Sequence, residues 1–293
     1  AGITTVVVNR EARALPLIES LYPQAQVYLW LHDRLRPGGR RARALGAQAA
    51  AFGRMQVRAV CVSDWQRADV EATLTRLGLA GRVSAATIYN PVDDLLAPDA
   101  TPVEHNKLVF FSSPNKGLDY ALDAFDALRQ DMPDLRLVVG NPGYRADRAA
   151  ARAGVEFLGA QPQARMHREV RSALCTFFPN FVIPETFGLV FAESHALGTP
   201  VLTHDCGAAR EVVADDTQLL PVPRGARAYE ASAARLPQSW RRAAARLAAA
   251  SGMFDAYRAR VQAWRSGARP PAAPDARFRL SAVTARWRGL LSL

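Results

Sequence analysis

Lysine is almost missing from this chain. Only Lys107 and Lys116 occur in 293 residues, so arginine supplies 35 of the 37 basic side chains, and a lysine inside a motif becomes informative. Cysteine is scarce too. Cys61, Cys175 and Cys206 are odd in number, far apart and without metal-ligand spacing, which excludes a zinc site and favours a reduced cytoplasmic compartment. No apolar run reaches the length of a membrane span. The opening "AGITTVVVNR" has one short apolar run before charge and does not read as a signal peptide, so a soluble or peripheral protein is expected. Neither GxGxxG nor GxxxxGK[ST] occurs, leaving a nicotinamide dinucleotide or P-loop reading without local support. Asp-x-Asp, histidine clusters, heptads and low-complexity tracts are absent as well.

What is present is an apolar chain with a lopsided charge. At 49% hydrophobic residues, its length suits two domains better than one. Of the net charge of +10, residues 221–293 carry 14 arginines against Glu230, Asp255 and Asp275, leaving the remainder near neutrality. A second cluster, Arg34, Arg36, Arg40, Arg41 and Arg43, opens a helix-like stretch. Such patches suit nucleic acid, an anionic membrane surface or a phosphorylated ligand, and equally a solvated face.

Short β-branched runs alternate with helical patterns. "TTVVV" (4–8), "QVYLWL" (26–31), "VRAVCV" (57–62) and "VSAATIY" (83–89) read as strands of a first parallel α/β unit over 1–92. The Pro- and Asp-rich 93–106 reads as a linker. The pattern then restarts over 107–268 with "KLVFFS", "LRLVVG", "VEFLG", "ALCTFFP", "PVLTH" and "TQLLPV" as strands, and with helical segments at 226–250 and 253–267. "RPPAAP" breaks the helices, and 269–293 ends in an amphipathic helix expected to pack back towards the first domain. Two consecutive Rossmann-like units predict a ligand cleft at the carboxyl ends of strands.

The segment "FVIPETFGLVFAESHALG" (181–198) should be a loop running into a helix. Gly188 would sit in the first turn, where a missing side chain opens the backbone N–H groups of Phe187, Gly188 and Leu189 to a phosphate or hydroxyl. Glu193, five residues further on, can accept two hydrogen bonds from a vicinal diol such as a ribose. Glu185, on the loop, can accept from sugar hydroxyls or stabilise positive charge at a sugar carbon. Lys116 follows a strand in "FFSSPNKGLD", where a compact ammonium suits a diphosphate leaving group. Taken singly, each of these residues is as easily a surface charge; together they point to a site for phosphates and sugar hydroxyls.

The combination of "SSPNKGLDYALDAF", "VEFLG", "FVIPETFGLVFAESHALGTPVL" and "GAAREVV", with "VCVSDWQ" and "IYNPVD" more weakly, resembles the retaining glycosyltransferases of family four, across roughly residues 57 to 222. That resemblance implies the GT-B fold: α/β, two Rossmann-like domains facing across a cleft, here with a reduced N-terminal domain. It implies Glu193 on the ribose, Lys116 on the diphosphate, the backbone of Thr186, Phe187, Gly188 and Leu189 on the phosphates and donor sugar, and Glu185 near the anomeric centre. It also implies that His32, in "YLWLHD", stands beside the transferred sugar, with Asp33 on the acceptor side.

The implied reaction is retaining, metal-independent transfer from a nucleoside-diphosphate sugar, uridine diphosphate by default and guanosine diphosphate next. The acceptor would be a saccharide or lipid-linked hydroxyl in cell-envelope polysaccharide or lipopolysaccharide synthesis. No cofactor is implied, and the expected location is the cytoplasm or the inner face of its membrane. Two departures stand out. Ser112 and Ser113 occupy the place where the family has an arginine before the lysine, and no Gly-rich loop follows the first strand. The alternatives are a non-catalytic GT-B nucleotide binder and an epimerase-like enzyme. A nucleic-acid binder rests on charge alone, without stacking motifs or a helix-turn-helix signature.

Overall fold

A computed structural model describes residues 2–141, 143 and 151–292. The chain divides into two units, one of Ala1–Pro91 with Arg277–Leu293 and one of Val92–Ala276.

The first unit runs β1 (Thr5–Asn9), α1 (Leu15–Leu21), β2 (Gln26–Leu31), α2 (Arg40–Gly46), β3 (Val57–Cys61), α3 (Asp64–Arg76) and β4 (Ser84–Thr87). Its four strands lie in sequence order, and every pair is parallel. β-Branched and apolar residues supply the strand cores: Val27, Leu29, Ala59 and Cys61 are buried against Leu15, Val70 and Leu74 of the helices. The start of α3 is fixed by its sequence. Ser63 Oγ accepts from the Gln66 N–H at 2.9 Å, and the Gln66 side chain returns to accept from the Val62 N–H at 2.7 Å, a capping-box exchange displaced by one residue.

The second unit contains β5 (Glu104–Phe111), α4 (Leu118–Asp131), β6 (Arg136–Asn141), β7 (Val155–Ala160), α5 (Gln163–Arg171), β8 (Ala173–Phe178), α6 (Leu189–Ala196), β9 (Val201–His204), α7 (Ala209–Val213), β10 (Leu219–Leu220), α8 (Ala226–Ala233), α9 (Gln238–Ala250) and α10 (Asp255–Ala263). The sheet is parallel, in the order β10-β9-β8-β5-β6-β7. From β5 the chain winds outward through β6 and β7; β8 then returns to the other side of β5, and the winding reverses. The switch point therefore lies between β5 and β8, the place where doubly wound sheets bind ligands. All six residues of β8 are buried. Lys107, buried within β5, is neutralised by Glu169 and also donates to Ser172 Oγ, each acceptor 2.6 Å from Nζ.

Residues 93–106, read from composition as a linker, are fastened to the second unit. Arg171 donates to Ala97 O at 3.2 Å and pairs with Asp99 at 2.9 Å, and the Glu104 N–H donates to Ser172 O at 2.8 Å. The helical stretch 226–250 is two helices, because Pro237 has no N–H to continue the ladder and instead caps α9. Likewise Arg269, on the segment after α10, donates to Leu174 O at 2.8 Å, within the second unit. The last helix, α11 (Leu280–Leu291), packs on the first unit: Tyr28 Oη donates to Leu290 O at 2.8 Å, and the Trp30 and Trp287 rings meet edge-on at 5.2 Å.

Candidate functional site

The two loops at the switch point carry the residues singled out from sequence. After β5, the Lys116 N–H donates to Ser113 O at 2.9 Å, and Gly117, at φ +86°, turns the chain into α4. After β8, Asn180 shapes the return loop. Its Oδ1 accepts from Val182 N at 3.1 Å and Ile183 N at 3.3 Å, while Nδ2 donates to Ile183 O at 2.7 Å. A Cβ at Gly117 would meet Asn180 Oδ1 at 3.4 Å, so the two loops touch.

Glu185 is held through its backbone. It bridges in parallel to Gly207, and its carbonyl accepts from the Ala208 N–H at 2.9 Å. Gly207 has φ +71°, and a Cβ there would lie 2.4 Å from Glu185 O, so only glycine permits this approach. The carboxylate meets Lys116. Nζ donates to Oε2 at 3.0 Å and lies 2.9 Å from Oε1, the second contact being ionic, without hydrogen-bond direction. Glu185 Oε1 is thus a buried acceptor with no directed donor among the described residues.

α6 begins after Gly188, whose φ is +89° and which has no side chain of its own to cap the helix. A Cβ at this position would stand 2.4 Å from the Phe191 ring. The helix is locked to β8 by Ser194, whose Oγ is 2.7 Å from Thr176 Oγ1 and donates to Val190 O at 2.6 Å. One turn after Leu189, Glu193 points into a recess of about 410 Å³ beside Phe111, Asn141, Gln163, Met166 and His167. Burial raises its carboxyl to about 7, and a hydrogen bond from Gln163 Nε2 at 3.1 Å only partly opposes this. His167 Nε2 is buried there without a hydrogen-bond partner among the described residues, and burial lowers the imidazole's basicity.

His32 and Asp33 belong to the first unit, at the carboxyl end of β2. The His32 ring lies 4.4 Å from that of Trp30. Burial, then the charge of Arg10, lower its pKa to about 4, so the imidazole is neutral at pH 7. Asp33 accepts from Arg10 at 3.4 Å and pairs with Arg41 at 2.9 Å. His195 and His204 are structural: one ring nitrogen sits 2.9 Å from Gln218 Oε1, and the other imidazole is held by Tyr257.

The structure therefore brings Lys116 and Glu185 into contact and sets Gly188 and Glu193 on one short helix. Sequence reading missed Gln163, Asn180, Gly207 and Arg10. Of these, only Gly207, in the quoted "GAAREVV" motif, carried any signal. Ser112 is buried and Ser113 Oγ bonds to Asn115 Oδ1, so neither supplies a cation. Among the described residues, no group of three or more His, Cys, Asp and Glu side chains gathers as for a metal ion.

Residues 101–248 match the family model described as glycosyl transferases group 1. The phosphatidyl-myo-inositol mannosyltransferase of Mycobacterium tuberculosis is 33% identical over 134 residues, which make up 42% of this chain and 35% of that protein. Its counterpart in Propionibacterium freudenreichii is 31% identical over 124 residues, 40% of this chain and 30% of that one. The matches thus span about a third of these relatives' length. Among solved structures, the pneumococcal O-GlcNAc transferase GtfA, in complex with UDP and GlcNAc, superposes with a TM-score of 0.64 at 13% identity, over 98% of this chain and 56% of that one. WaaG, a glycosyltransferase involved in lipopolysaccharide biosynthesis, gives 0.55 at 14% identity, over 94% and 80%. These likenesses, with two parallel α/β sheets, define the GT-B fold of two Rossmann-like domains.

Proposed function

The chain belongs to the glycosyl transferases group 1 family, and from that premise we propose that it moves a sugar from a nucleoside-diphosphate sugar to a hydroxyl of a saccharide or glycolipid acceptor, with retention and without a metal. The observation that carries this reading is the Lys116–Glu185 pair at the sheet's switch point, 2.9 Å apart and one loop away from the glycine start of α6.

In this reading Lys116 and the first-turn N–H groups of α6 take the diphosphate. The charge that builds on the leaving oxygen is met by an ammonium and by fixed dipoles already in place, the form of stabilisation that contributes most to such steps. Glu193 accepts from the ribose diol once ionised. Glu185, released from Lys116 by the incoming phosphate, faces the donor sugar and stabilises the oxocarbenium-like carbon as the acceptor hydroxyl attacks from the same face. Neutral His32 stands beside the transferred sugar, and Asp33 serves the acceptor side.

Uridine diphosphate is the first donor to test, since the pneumococcal neighbour was solved with it, and guanosine diphosphate the second. The relatives named for phosphatidyl-myo-inositol, and the neighbour from lipopolysaccharide biosynthesis, point to a glycolipid of the cell envelope, met at the cytoplasmic membrane surface. Among the described residues no helix is long and apolar enough to cross a membrane, and the arginine-rich residues 221–293 suit peripheral contact with anionic headgroups.

The test is calorimetric titration of the purified protein with UDP, GDP, ADP and their sugar conjugates in the absence of metal, followed by assay of diphosphate release. Selective binding of one diphosphate, lost in Glu193→Ala and Lys116→Ala, is the expected result. No binding by any of them overturns the transferase reading in favour of a non-catalytic domain, the reading that Ser112 and Ser113 would then explain.

A further inference from the structure

The first unit has a recess of its own at the carboxyl ends of β1 and β2, the side on which parallel sheets present ligands. Its wall holds four arginines, Arg10, Arg13, Arg40 and Arg41, against two carboxylates, Glu11 and Asp33. The cations come from three places in the chain. Arg10 follows β1, Arg13 lies in the short 3-10 turn Ala12–Ala14, and Arg40 and Arg41 open α2.

Arg10 is built in at some cost. Its φ of +68° is unusual for a residue with a Cβ, and its N–H donates to Trp30 O at 2.9 Å, which fixes the turn. Asp33 pairs with both Arg10 and Arg41, at 3.4 and 2.9 Å, so one carboxylate gathers guanidinium groups from two elements into one wall. Glu11 is only 3.9 Å from Arg13, a looser pair. The wall keeps an excess of two positive charges. The neighbouring arginines are otherwise engaged: Arg34 pairs with Asp69 at 3.1 Å, and Arg43 donates to Gly38 O.

Guanidinium groups converging from several directions suit an oxyanion with three or four oxygens better than a carboxylate with two, and their planar forks pair with phosphate in bidentate fashion. We propose that this recess is a subsite for a phosphate group carried by the acceptor, with Arg10, Arg13, Arg40 and Arg41 as its donors and Asp33 as the carboxylate that positions two of them. The proposal rests on the transferase reading for the word acceptor, and on the recess alone for the phosphate.

The test uses the whole chain without any sugar nucleotide. Glycerol 3-phosphate is titrated calorimetrically, and flotation is measured with phosphatidylcholine vesicles with and without phosphatidylinositol. The wild type is set against Arg10→Gln/Arg41→Gln, Arg13→Gln/Arg40→Gln, Lys116→Ala and a surface control, Arg242→Gln/Arg246→Gln. Far-ultraviolet circular dichroism checks folding, and Arg10→Lys/Arg41→Lys tests rescue of charge without the fork. We expect binding at least tenfold weaker in both recess doubles, partial recovery with lysine, and no change in the control or in Lys116→Ala.

Binding of the soluble phosphate places the ligand among phosphorylated sugars or polyols. Binding confined to phosphatidylinositol vesicles makes it a lipid headgroup, and either outcome supports the subsite. No binding in either arm, binding indifferent to the recess doubles, or binding lost in Lys116→Ala overturns it. Nucleotide titration of the same samples separates the two readings: phosphate binding without nucleotide binding leaves the subsite standing and removes the transferase.

Discussion

Lys116 and Glu185 are 69 positions apart in the chain, yet Nζ lies 2.9 Å from Oε1 and donates to Oε2 at 3.0 Å. The ammonium assigned to the diphosphate is therefore already occupied by a carboxylate, and a phosphate must displace it. This competition sets up opposite effects on binding and turnover. In Glu185→Gln the charge on the competitor is removed, so nucleoside diphosphate should bind more tightly by about fivefold to tenfold, a charge-assisted hydrogen bond exceeding a neutral one by about 1 kcal/mol. Transfer should nevertheless fall by about two to three orders of magnitude, as for loss of a transition-state electrostatic partner. Lys116→Ala should lose both. Calorimetry beside a diphosphate-release assay separates these outcomes, and weaker nucleotide binding in Glu185→Gln would show that the pair does not compete with the ligand.

Gly207 fixes Glu185 from behind. At φ +71° and with its Cβ position 2.4 Å from Glu185 O, it tolerates no side chain unless the bridge to Glu185 opens. Gly207→Ala should therefore destabilise the second unit by about 2–3 kcal/mol through combined clash and left-handed strain. Turnover should fall well beyond the loss of folded protein. Denaturant unfolding with turnover per folded molecule measures both. Gly53→Ala, where a Cβ meets nothing within 4 Å and no left-handed φ is required, is the matched control.

The parallel sheets were legible because their strands are short, largely apolar runs rich in β-branched and aromatic residues: "QVYLWL" is β2, and "ALCTFFP" contains β8. Lys116 and Glu185 stood out because each follows such a strand, and one is a rare residue type here. Their contact was not legible, since it depends on β8 pairing with β5 rather than with its sequence neighbour β7. Gln163 reaches Glu193 from 30 residues away, and Arg10 adopts its backbone through a bond to Trp30; neither leaves a local pattern. Residues 93–106 looked like a linker because proline and aspartate dominate them, yet Asp99 is the anchor of Arg171. Composition reports a segment's preference in isolation, and tertiary pairing decided these cases.

Asp123 shows what holds the added helices to the second unit. Buried on α4, it accepts from Tyr229 Oη at 2.9 Å and from Arg241 Nε at 2.8 Å, and it pairs with Arg152 at 3.4 Å. One carboxylate thus ties α8 and α9 to the sheet's covering layer. Burial pushes the Asp123 carboxyl up, and the two guanidinium groups pull against that. Asp123→Ala removes one of the two carboxylates that each buried guanidinium meets, leaving Arg152 with Asp126 and Arg241 with Glu230, and should cost about 3 kcal/mol, the lower end for a broken buried pair. The triple replacement, Asp123→Leu with Arg241→Met and Glu230→Gln, should cost less than the single change, because Arg241 leaves together with both of its carboxylates and Arg152 stays paired with Asp126. Equilibrium urea unfolding of the three proteins measures this, and additive losses would remove the network as the cause.

Glu193 links the site to pH. In the unfolded chain it titrates near the ordinary carboxyl value of 4.5, and in the folded protein near 7, because burial disfavours the charged form. Between those values the folded state holds the extra proton, so stability falls as pH rises from about 4.5 to about 7 and stays reduced above. Glu193→Gln keeps the shape and the partner Gln163 but cannot ionise. It should match the wild type near pH 4.5 and exceed it at pH 8 by up to about 3 kcal/mol, the ceiling for that shift at 1.36 kcal/mol per pKa unit. Nucleotide binding should show the reverse preference. A carboxylate that accepts from both ribose hydroxyls must be ionised, so wild-type affinity should rise about tenfold from pH 6 to pH 8, with one proton released per nucleotide bound on the acid side. The Gln variant should bind weakly and without that slope. Thermal melts and calorimetry in buffers of different ionisation enthalpy read both effects, and a Gln variant no more stable than the wild type at pH 8 would mean that the recess solvates the charge.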